Sequence, residues 1–387
     1  MKKKLKNSNG ITLIALIITI IILLILAGIS ISALTQTGLF SRAKQAEQLS
    51  KEKQEEENAT LGTYKNEIGK YLEENSEETP SEPKEIKLVD KINDGTIKIG
   101  DYVKYTPDVV TNTDKKYTDL LSNLGTYSGN TDNTKNTTST LTQEMNLNWR
   151  VLDVKDGQVR LISDGPTTST IALSGYNGYN NAVKLLDDTC STLYSNETLA
   201  SKVQNLKIED IQDKMIEKDF SKITSEYGKI YTSSTKYYPN IVLNEKNQTT
   251  NGELNLSEQK DLINQTTEQP MDTLKIKYTY WNKLMAASDF YDNQINNYYE
   301  LFINNGDNYP EYWLSSRCIL ADSNHANFNI RAVISGYVFA YYSYSSDSRK
   351  NDASFAFRPV ITLNSNVQID TANSGNGSTA EQGYALK

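Results

Sequence analysis

The chain has 387 residues, with 48 acidic and 40 basic side chains, and its formal net charge at pH 7 is −8. An acidic chain without a stripe of lysine and arginine is poorly suited to the phosphate backbone, so nucleic acid is excluded as a partner. One histidine and two cysteines cannot fill the usual four-ligand zinc site, and the sequence contains no glycine-rich phosphate-binding loop. The composition therefore predicts neither a metal nor another cofactor.

The amino-terminal segment predicts where the protein is located. Four lysines within the first six residues precede Gly10, and an uncharged, largely apolar run then occupies residues 11–34. As a helix this run would be about 36 Å long, enough to cross a bilayer. The lysines favour the cytoplasmic side. We therefore expect a single-pass protein of the cell membrane, with its amino terminus in the cytoplasm and its carboxy-terminal domain outside the cell.

The junction Gly10-Ile11-Thr12-Leu13-Ile14 resembles the processing site of type IV prepilins, the class III signal. This resemblance implies a leader at residues 1–10, cleavage between Gly10 and Ile11 by a prepilin peptidase, and N-terminal methylation. It also implies association with other pilin-like or pseudopilin subunits. Two positions depart from the family pattern: Ile11 replaces phenylalanine, and Ala15 replaces the glutamate that is thought to set filament register. The resemblance thus leaves polymerisation open.

Two other interpretations of this segment compete with the prepilin-like one. A secretory signal would have an apolar region of about 7–15 residues, which is shorter than the run at 11–34. An uncleaved signal anchor fits the length and stays open. All three interpretations place the bulk of the chain outside the cell.

Composition changes along the chain predict its further organisation. Helix-forming residues, followed by apolar residues at helical spacing, predict a stalk helix at 35–74. Glutamates and two prolines predict a linker at 75–85. We expect an extracellular α+β domain at 86–369, with a surface insertion at about 111–148 that is rich in Asn, Thr and Ser. The segment 370–387 is predicted to be a disordered tail.

Within this domain, alternating apolar residues on both sides of Asp156-Gly157 predict a hairpin at 149–163. Apolar residues at helical spacing predict a helix at 179–194, and shorter helices are expected at 208–216 and 280–287. Strands are predicted at 312–317, 326–333, 336–341 and 356–363. The pattern indicates a mixed, mainly antiparallel sheet with flanking helices.

Two sequence motifs in this domain resemble those of an extracellular domain found in clostridia and related bacteria. They are Trp-Leu-Ser-Ser-Arg at 313–317 and Phe-Arg-Pro-Val at 357–360. The architecture is similar to the C-type-lectin-like fold of the sulfatase-modifying-factor group, an analogy that implies no activity. The resemblance marks Trp313, Arg317, Arg358 and Pro359 as a structural motif. Because a buried arginine needs partners, both arginines are expected to stabilise the domain, with a ligand-facing role as the alternative.

Few residues of the chain are suited to catalysis. The only histidine, His325, lies in a loop-like stretch, and no Gly-x-Ser-x-Gly motif accompanies it. We therefore expect no enzyme. Cys190 and Cys318 are predicted either to form a disulfide, as an extracellular setting allows, or to be two separately buried thiols.

Together these observations predict a membrane-anchored, pilin-like or pseudopilin-like cell-surface protein that displays a structural or adhesive head. The alternative is a stand-alone, signal-anchored domain that binds glycan or protein and joins no filament. The expected partners are the membrane, a prepilin peptidase, other pilin-like subunits and an unknown surface ligand.

Overall fold

The computed structural model describes residues 53, 85–217, 241–243, 256–258, 261–264, 278–279, 282–291, 297–303, 311–321 and 326–387. Residues 85–387 belong to one unit, which starts one residue before the predicted domain. The predicted leader, membrane helix and linker up to residue 84, and the stalk apart from residue 53, lie outside the described residues. None of the helices in the described part combines the length and apolar character needed to span a membrane.

This unit has an α+β fold with two mixed sheets and few helices. Its strands are β1 (Tyr102–Lys104), β2 (Trp149–Lys155), β3 (Gln158–Ser163), β4 (Thr170–Ser174), β5 (Ala200–Asn205), β6 (Ile241–Leu243), β7 (Leu262–Asn264), β8 (Tyr278–Thr279), β9 (Lys283–Leu284), β10 (Tyr312–Ala321), β11 (Ala326–Ile334), β12 (Tyr337–Ser345), β13 (Asp352–Ala356), β14 (Pro359–Leu363) and β15 (Tyr384–Ala385). Its α-helices are α1 (Leu88–Asn93), α2 (Lys115–Tyr127), α3 (Gly175–Tyr194), α4 (Ile208–Gln212) and α5 (Tyr298–Phe302), and a 3-10 helix spans Ala287–Asp289.

The first sheet has the strand order β15-β1-β2-β3-β14-β5. Strands β2 and β3 form the predicted hairpin, paired from Trp149 opposite Ser163 to Lys155 opposite Gln158. Its turn residues Asp156 and Gly157 have φ values of 51° and 75°. A two-residue turn of this kind needs positive φ at both positions, which Asp-Gly tolerates, and this explains why the sequence alone locates the hairpin.

The second sheet has the order β4-β13-β10-β11-β12-β9, and β8 pairs with β10. Strands β10, β11 and β12 form an antiparallel meander where strands were predicted, because these segments are rich in aromatic and β-branched residues. The pairing of β10 with β11 is irregular between Trp313 and Arg317. Strands β6 and β7 form a separate two-stranded sheet.

The predicted strand at 356–363 is in fact two strands that belong to different sheets. Strand β13 ends at Ala356 in the second sheet, and β14 begins at Pro359 in the first sheet. Phe357 and Arg358 therefore carry the chain from one sheet to the other. The sequence pattern does not reveal such a crossing, because residues 356–361 are buried on both sides of the point where the chain changes sheets.

Helix α3 contains the helix that was predicted at 179–194. It starts four residues earlier, and Leu186, Cys190 and Leu193 of the predicted apolar face are buried. The shorter helix predicted at 208–216 is present as α4 but ends at Gln212. The helix predicted at 280–287 is wrong within its described part, because Lys283 and Leu284 form β9 and pair with β12.

The segment 111–148 is not merely a surface insertion. Helix α2 buries Tyr117, Leu120 and Leu124, and the Tyr117 hydroxyl donates a hydrogen bond to the Leu141 carbonyl. Leu141 is itself fully buried. The abundance of Asn, Thr and Ser concealed the few apolar residues that attach this segment to the core.

The tail predicted as disordered at 370–387 is an ordered part of the fold. Strand β15 pairs with β1 in parallel, with Val103 opposite Tyr384 and Lys104 opposite Ala385. The Tyr102 amide also donates to the Gly377 carbonyl at 2.8 Å. Backbone pairing with a strand far away in sequence is independent of the Ser/Gly/Asn-rich composition, which explains why composition was misleading here.

Candidate functional site

Trp313 is buried in the second sheet. Its indole Nε1 donates to the Ile171 carbonyl at 2.8 Å, which connects β10 to β4. The rings of Tyr341 and Phe355 pack edge-on against it, with centroids 5.6 Å and 4.6 Å away. With 1 % of its surface exposed, Trp313 is positioned to fill the core.

Arg317 contacts helix α3 from β10. Its Nη1 donates to the Asn180 carbonyl at 3.2 Å, and its guanidinium carbon lies 5.0 Å from the centre of the Tyr179 ring. A cation over an aromatic face is favourable, most of all where water is excluded. These contacts join the second sheet to its covering helix.

Arg358 lies at the crossing between the two sheets and is 1 % exposed. Its Nε and Nη2 donate to the Ser163 carbonyl at 3.2 Å and 2.9 Å, and Nη2 also donates to the Asp164 carbonyl at 2.9 Å. Its guanidinium carbon is 5.5 Å from the centre of the Tyr312 ring. Pro359 follows as the first residue of β14, opposite Asn205. The geometry directs this guanidinium to main-chain carbonyls rather than to solvent.

The two cysteines are not bridged. Cys190 on α3 lies 3.9 Å from the Asn205 side-chain oxygen, whereas Cys318 on β10 lies 3.7 Å from Nη1 of Arg331. The thiols are buried beside different partners, which is the arrangement expected of two separately buried thiols, and the disulfide stays an alternative for the labelling experiment described below. Burial raises the pKa of both thiols, that of Cys190 well above its ordinary value, so neither is poised as a nucleophile. The other predicted positions, Gly10, Ile11 and His325, lie outside the described residues.

A buried ion-pair network joins the first sheet to α4. Arg160 on β3 donates to both carboxylate oxygens of Asp153, at 2.7 Å and 2.6 Å, and to Asp210 at 2.5 Å. Lys214 lies 2.8 Å from Asp153. Burial raises the pKa of Asp153, but hydrogen bonding and the charges of Arg160 and Lys214 outweigh it and hold that pKa below its ordinary value. The four charges neutralise one another, as expected of a structural link.

Among the described residues, a cleft near the edge of the first sheet is a candidate binding site. Its cavity volume is about 180 Å³, and its lining comes from residues 102–106, residues 147–149 and Ala380. Strand β1 pairs with β2 through Tyr102 opposite Arg150 and Val103 opposite Trp149. The cleft lies where the two segments leave this ladder. Three segments that are far apart in sequence thus form one concave surface.

An aromatic cluster supports the floor of the cleft. The rings of Tyr105 and Trp149 meet edge-on at 5.2 Å, and Trp149 meets Tyr194 at 5.9 Å. The Tyr105 hydroxyl donates to the Tyr194 carbonyl at 2.8 Å. Burial raises the pKa of Tyr105, so its phenol stays protonated and keeps this hydrogen bond at neutral pH. The floor is therefore a fixed surface.

Polar groups form the walls. Lys104, Thr106 and Asn148 are exposed, and the Lys104 ammonium donates to the Asn373 carbonyl at 3.1 Å. Tyr102 is half-buried: its hydroxyl donates to Asp164 at 3.1 Å. The Arg150 guanidinium lies 5.0 Å from the centre of the Tyr102 ring. Burial, reinforced by the charge of Asp164, raises the pKa of Tyr102. This arrangement can bind a polar ligand through hydrogen bonds.

Sequence reasoning did not find the cleft. Leu147 and Asn148 had been assigned to the surface insertion and Ala380 to the disordered tail, and only Trp149 of those two segments was placed in a predicted strand. Alternation at 102–105 was the available signal, but it predicts a strand and says nothing about what lies beside it.

Comparison with protein-family models, with curated proteins and with solved structures finds no match for this chain.

Proposed function

We propose that the chain is a membrane-anchored, pilin-like or pseudopilin-like protein whose residues 85–387 form a structural or adhesive head outside the cell. The observation that supports a displayed head is that hydrogen bonds attach the first residues of this unit to residues 367–369. The Leu88 amide donates to the Val367 carbonyl at 3.1 Å, and the Ile369 amide donates to the Ile86 carbonyl at 2.8 Å. A chain that arrives at residue 85 is thus attached to the ordered segment 367–369, through an isolated antiparallel bridge between Lys87 and Gln368.

The contacts of the buried arginines and thiols agree with a head that has a binding or structural role rather than a catalytic one. Arg160, Arg317 and Arg358 all contact protein groups, and both thiols are held in the protonated form. The finer proposal, a C-type-lectin-like head, is based on the Trp-Leu-Ser-Ser-Arg and Phe-Arg-Pro-Val motifs. An experimental structure of the full-length chain in which the strand connections differ from those of C-type lectins would overturn it.

The mass of the amino-terminal peptide tests the pilin pathway. We expect that co-expression with a cognate prepilin peptidase yields an amino terminus at Ile11 carrying an N-methyl group. Gly10→Val is the matched control, since it replaces the residue at which the peptidase would cut. An intact leader in the wild-type chain would remove the filament proposal and leave a signal-anchored protein.

The second candidate function is a stand-alone anchored domain that binds glycan or protein, and the cleft at β1 and β2 favours it. A glycan array probed with the full-length chain in detergent tests this candidate. Binding by a chain with an intact leader would support it, and an array without signal would count against recognition of sugars.

A further inference from the structure

We propose that the cleft at β1 and β2 binds one sugar residue that carries a carboxylate, with Lys104 as the side chain that contacts this carboxylate. The inference rests on the proposed role of residues 85–387 as a displayed binding head. It adds a ligand class and a specificity-determining residue to that role.

The charge of the residues that line the cleft indicates the charge of its ligand. Lys104 is the only charged residue among those that line the cleft. Its ammonium has three donors and uses one on the Asn373 carbonyl, which holds the side chain in place and leaves donors for a ligand. The nearby carboxylate of Asp164 is paired with Arg150 at 3.3 Å and accepts from the Tyr102 hydroxyl. The exposed carboxylate of Glu381, next to Ala380, also acts on Tyr102, so Lys104 is the one cation among the lining residues that can contact a ligand carboxylate.

The neutral groups of the lining suit the remainder of a sugar. Thr106 provides a hydroxyl and Asn148 an amide, both exposed, so each can exchange hydrogen bonds with sugar hydroxyls. Tyr102 adds an aromatic wall that Arg150 and Asp164 hold in one orientation. A binding surface fixed before the ligand arrives loses little freedom on binding.

The size of the cleft favours one compact ring over an extended chain. Its cavity volume of about 180 Å³ is below the range of about 300–1,000 Å³ found for drug-sized ligands, so it has room for one small ring at most. A peptide strand would need a longer groove with a row of pairing backbone groups. A terminal sugar residue with an acidic group fits both the volume and the charge.

Titration of the full-length chain in detergent with methyl glucuronide and methyl glucoside, followed by ligand-observed NMR, tests the proposal. We expect the glucuronide to bind more tightly, and Lys104→Gln to weaken its binding by at least about tenfold, because a charge-assisted hydrogen bond is lost. Lys202→Gln, which replaces an exposed lysine on β5 of the same sheet, is the matched control and should change nothing.

A second variant keeps the test independent of the lysine. Asn148→Asp places a negative charge in the cleft. It should weaken the binding of methyl glucuronide and leave the binding of methyl glucoside unchanged. Equal binding of the two glycosides, no binding of either, or glucuronide binding that Lys104→Gln leaves intact would each overturn the proposal. The leader mass reports on the proposed function without any ligand, so failure of that function would be distinguishable from failure of this ligand assignment.

Discussion

The guanidinium of Arg358 donates two hydrogen bonds to the main-chain carbonyl of Ser163, from Nε at 3.2 Å and from Nη2 at 2.9 Å. Ser163 ends β3 of the first sheet, and Arg358 follows the end of β13 in the second. A single side chain therefore fixes the end of one strand to the point where the chain changes sheets.

The first prediction concerns this contact. Arg358→Met should lower the free energy of unfolding by about 3 kcal/mol, because it leaves buried carbonyl groups without donors. Denaturant unfolding monitored by tryptophan fluorescence measures the change. Arg349→Met is the control: that side chain is 67 % exposed and its guanidinium pairs with the exposed carboxylate of Asp347, so its loss should leave stability unchanged. Equal stability of the two variants would show that Arg358 does not stabilise the crossing.

The second prediction is a pH dependence that comes from Asp153. Its pKa in the folded chain is below the ordinary value of about 3.9, so the folded state binds this proton less tightly than the unfolded state. The associated stability is fully present above pH 4 and is lost as the pH falls through the folded pKa. We expect the free energy of unfolding of the wild type to fall from pH 5 towards pH 2.

Asp153→Asn isolates this contribution. It should lower the free energy of unfolding by about 3 kcal/mol at neutral pH, since Arg160 loses a buried partner. It should also reduce the slope of that free energy against pH below pH 4. Parallel pH series of chemical unfolding provide the comparison. A variant whose slope matches that of the wild type would assign the acid sensitivity to other carboxylates.

The third prediction concerns the thiols. Cys190 and Cys318 are both buried with raised pKa, so neither should react with a thiol reagent at pH 8 in the folded chain. Both should react once the chain is unfolded without a reducing agent. The intact mass after labelling gives the number of modified thiols. An unfolded chain that takes up no label and is two hydrogens lighter would demonstrate a disulfide instead.

The fourth prediction tests the packing of the carboxy-terminal segment against β1. Gly377 and Gly95 both have positive φ, of 74° and 76°. A Cβ at Gly377 would lie 2.5 Å from the Tyr384 ring and 3.0 Å from Asp101, whereas a Cβ at Gly95 meets nothing within 4 Å. Gly95→Ala should therefore lower the free energy of unfolding by about 1 kcal/mol, from backbone strain. Gly377→Ala should lower it by roughly 1–3 kcal/mol more, because its Cβ also meets neighbouring atoms.

Unfolding of the two alanine variants in parallel measures this difference. Hydrogen exchange at β1 provides an independent readout, because the Tyr102 amide donates to the Gly377 carbonyl. Faster exchange of this amide in Gly377→Ala alone is the expected result. Equal costs at the two positions would mean that residues 370–387 do not pack against β1 in solution.

The sequence by itself determined several local elements of this chain. Asp156-Gly157 predicted the hairpin because the turn needs positive φ at both residues, and helical spacing predicted α3 because its apolar side chains must share one face. These signals depend only on neighbours within a few residues. The basic segment and apolar run at 1–34 likewise predict a membrane anchor without reference to any tertiary contact.

Only the tertiary structure decided how distant segments combine. It showed that one apolar run at 356–363 serves two sheets, that β15 pairs with β1, and that Lys104, Asn148 and Ala380 line one cleft. Backbone hydrogen bonds between strands carry no side-chain signature, and a residue's partners across a sheet do not affect its local pattern. The candidate binding site was therefore invisible in the sequence, because it is formed where paired strands separate.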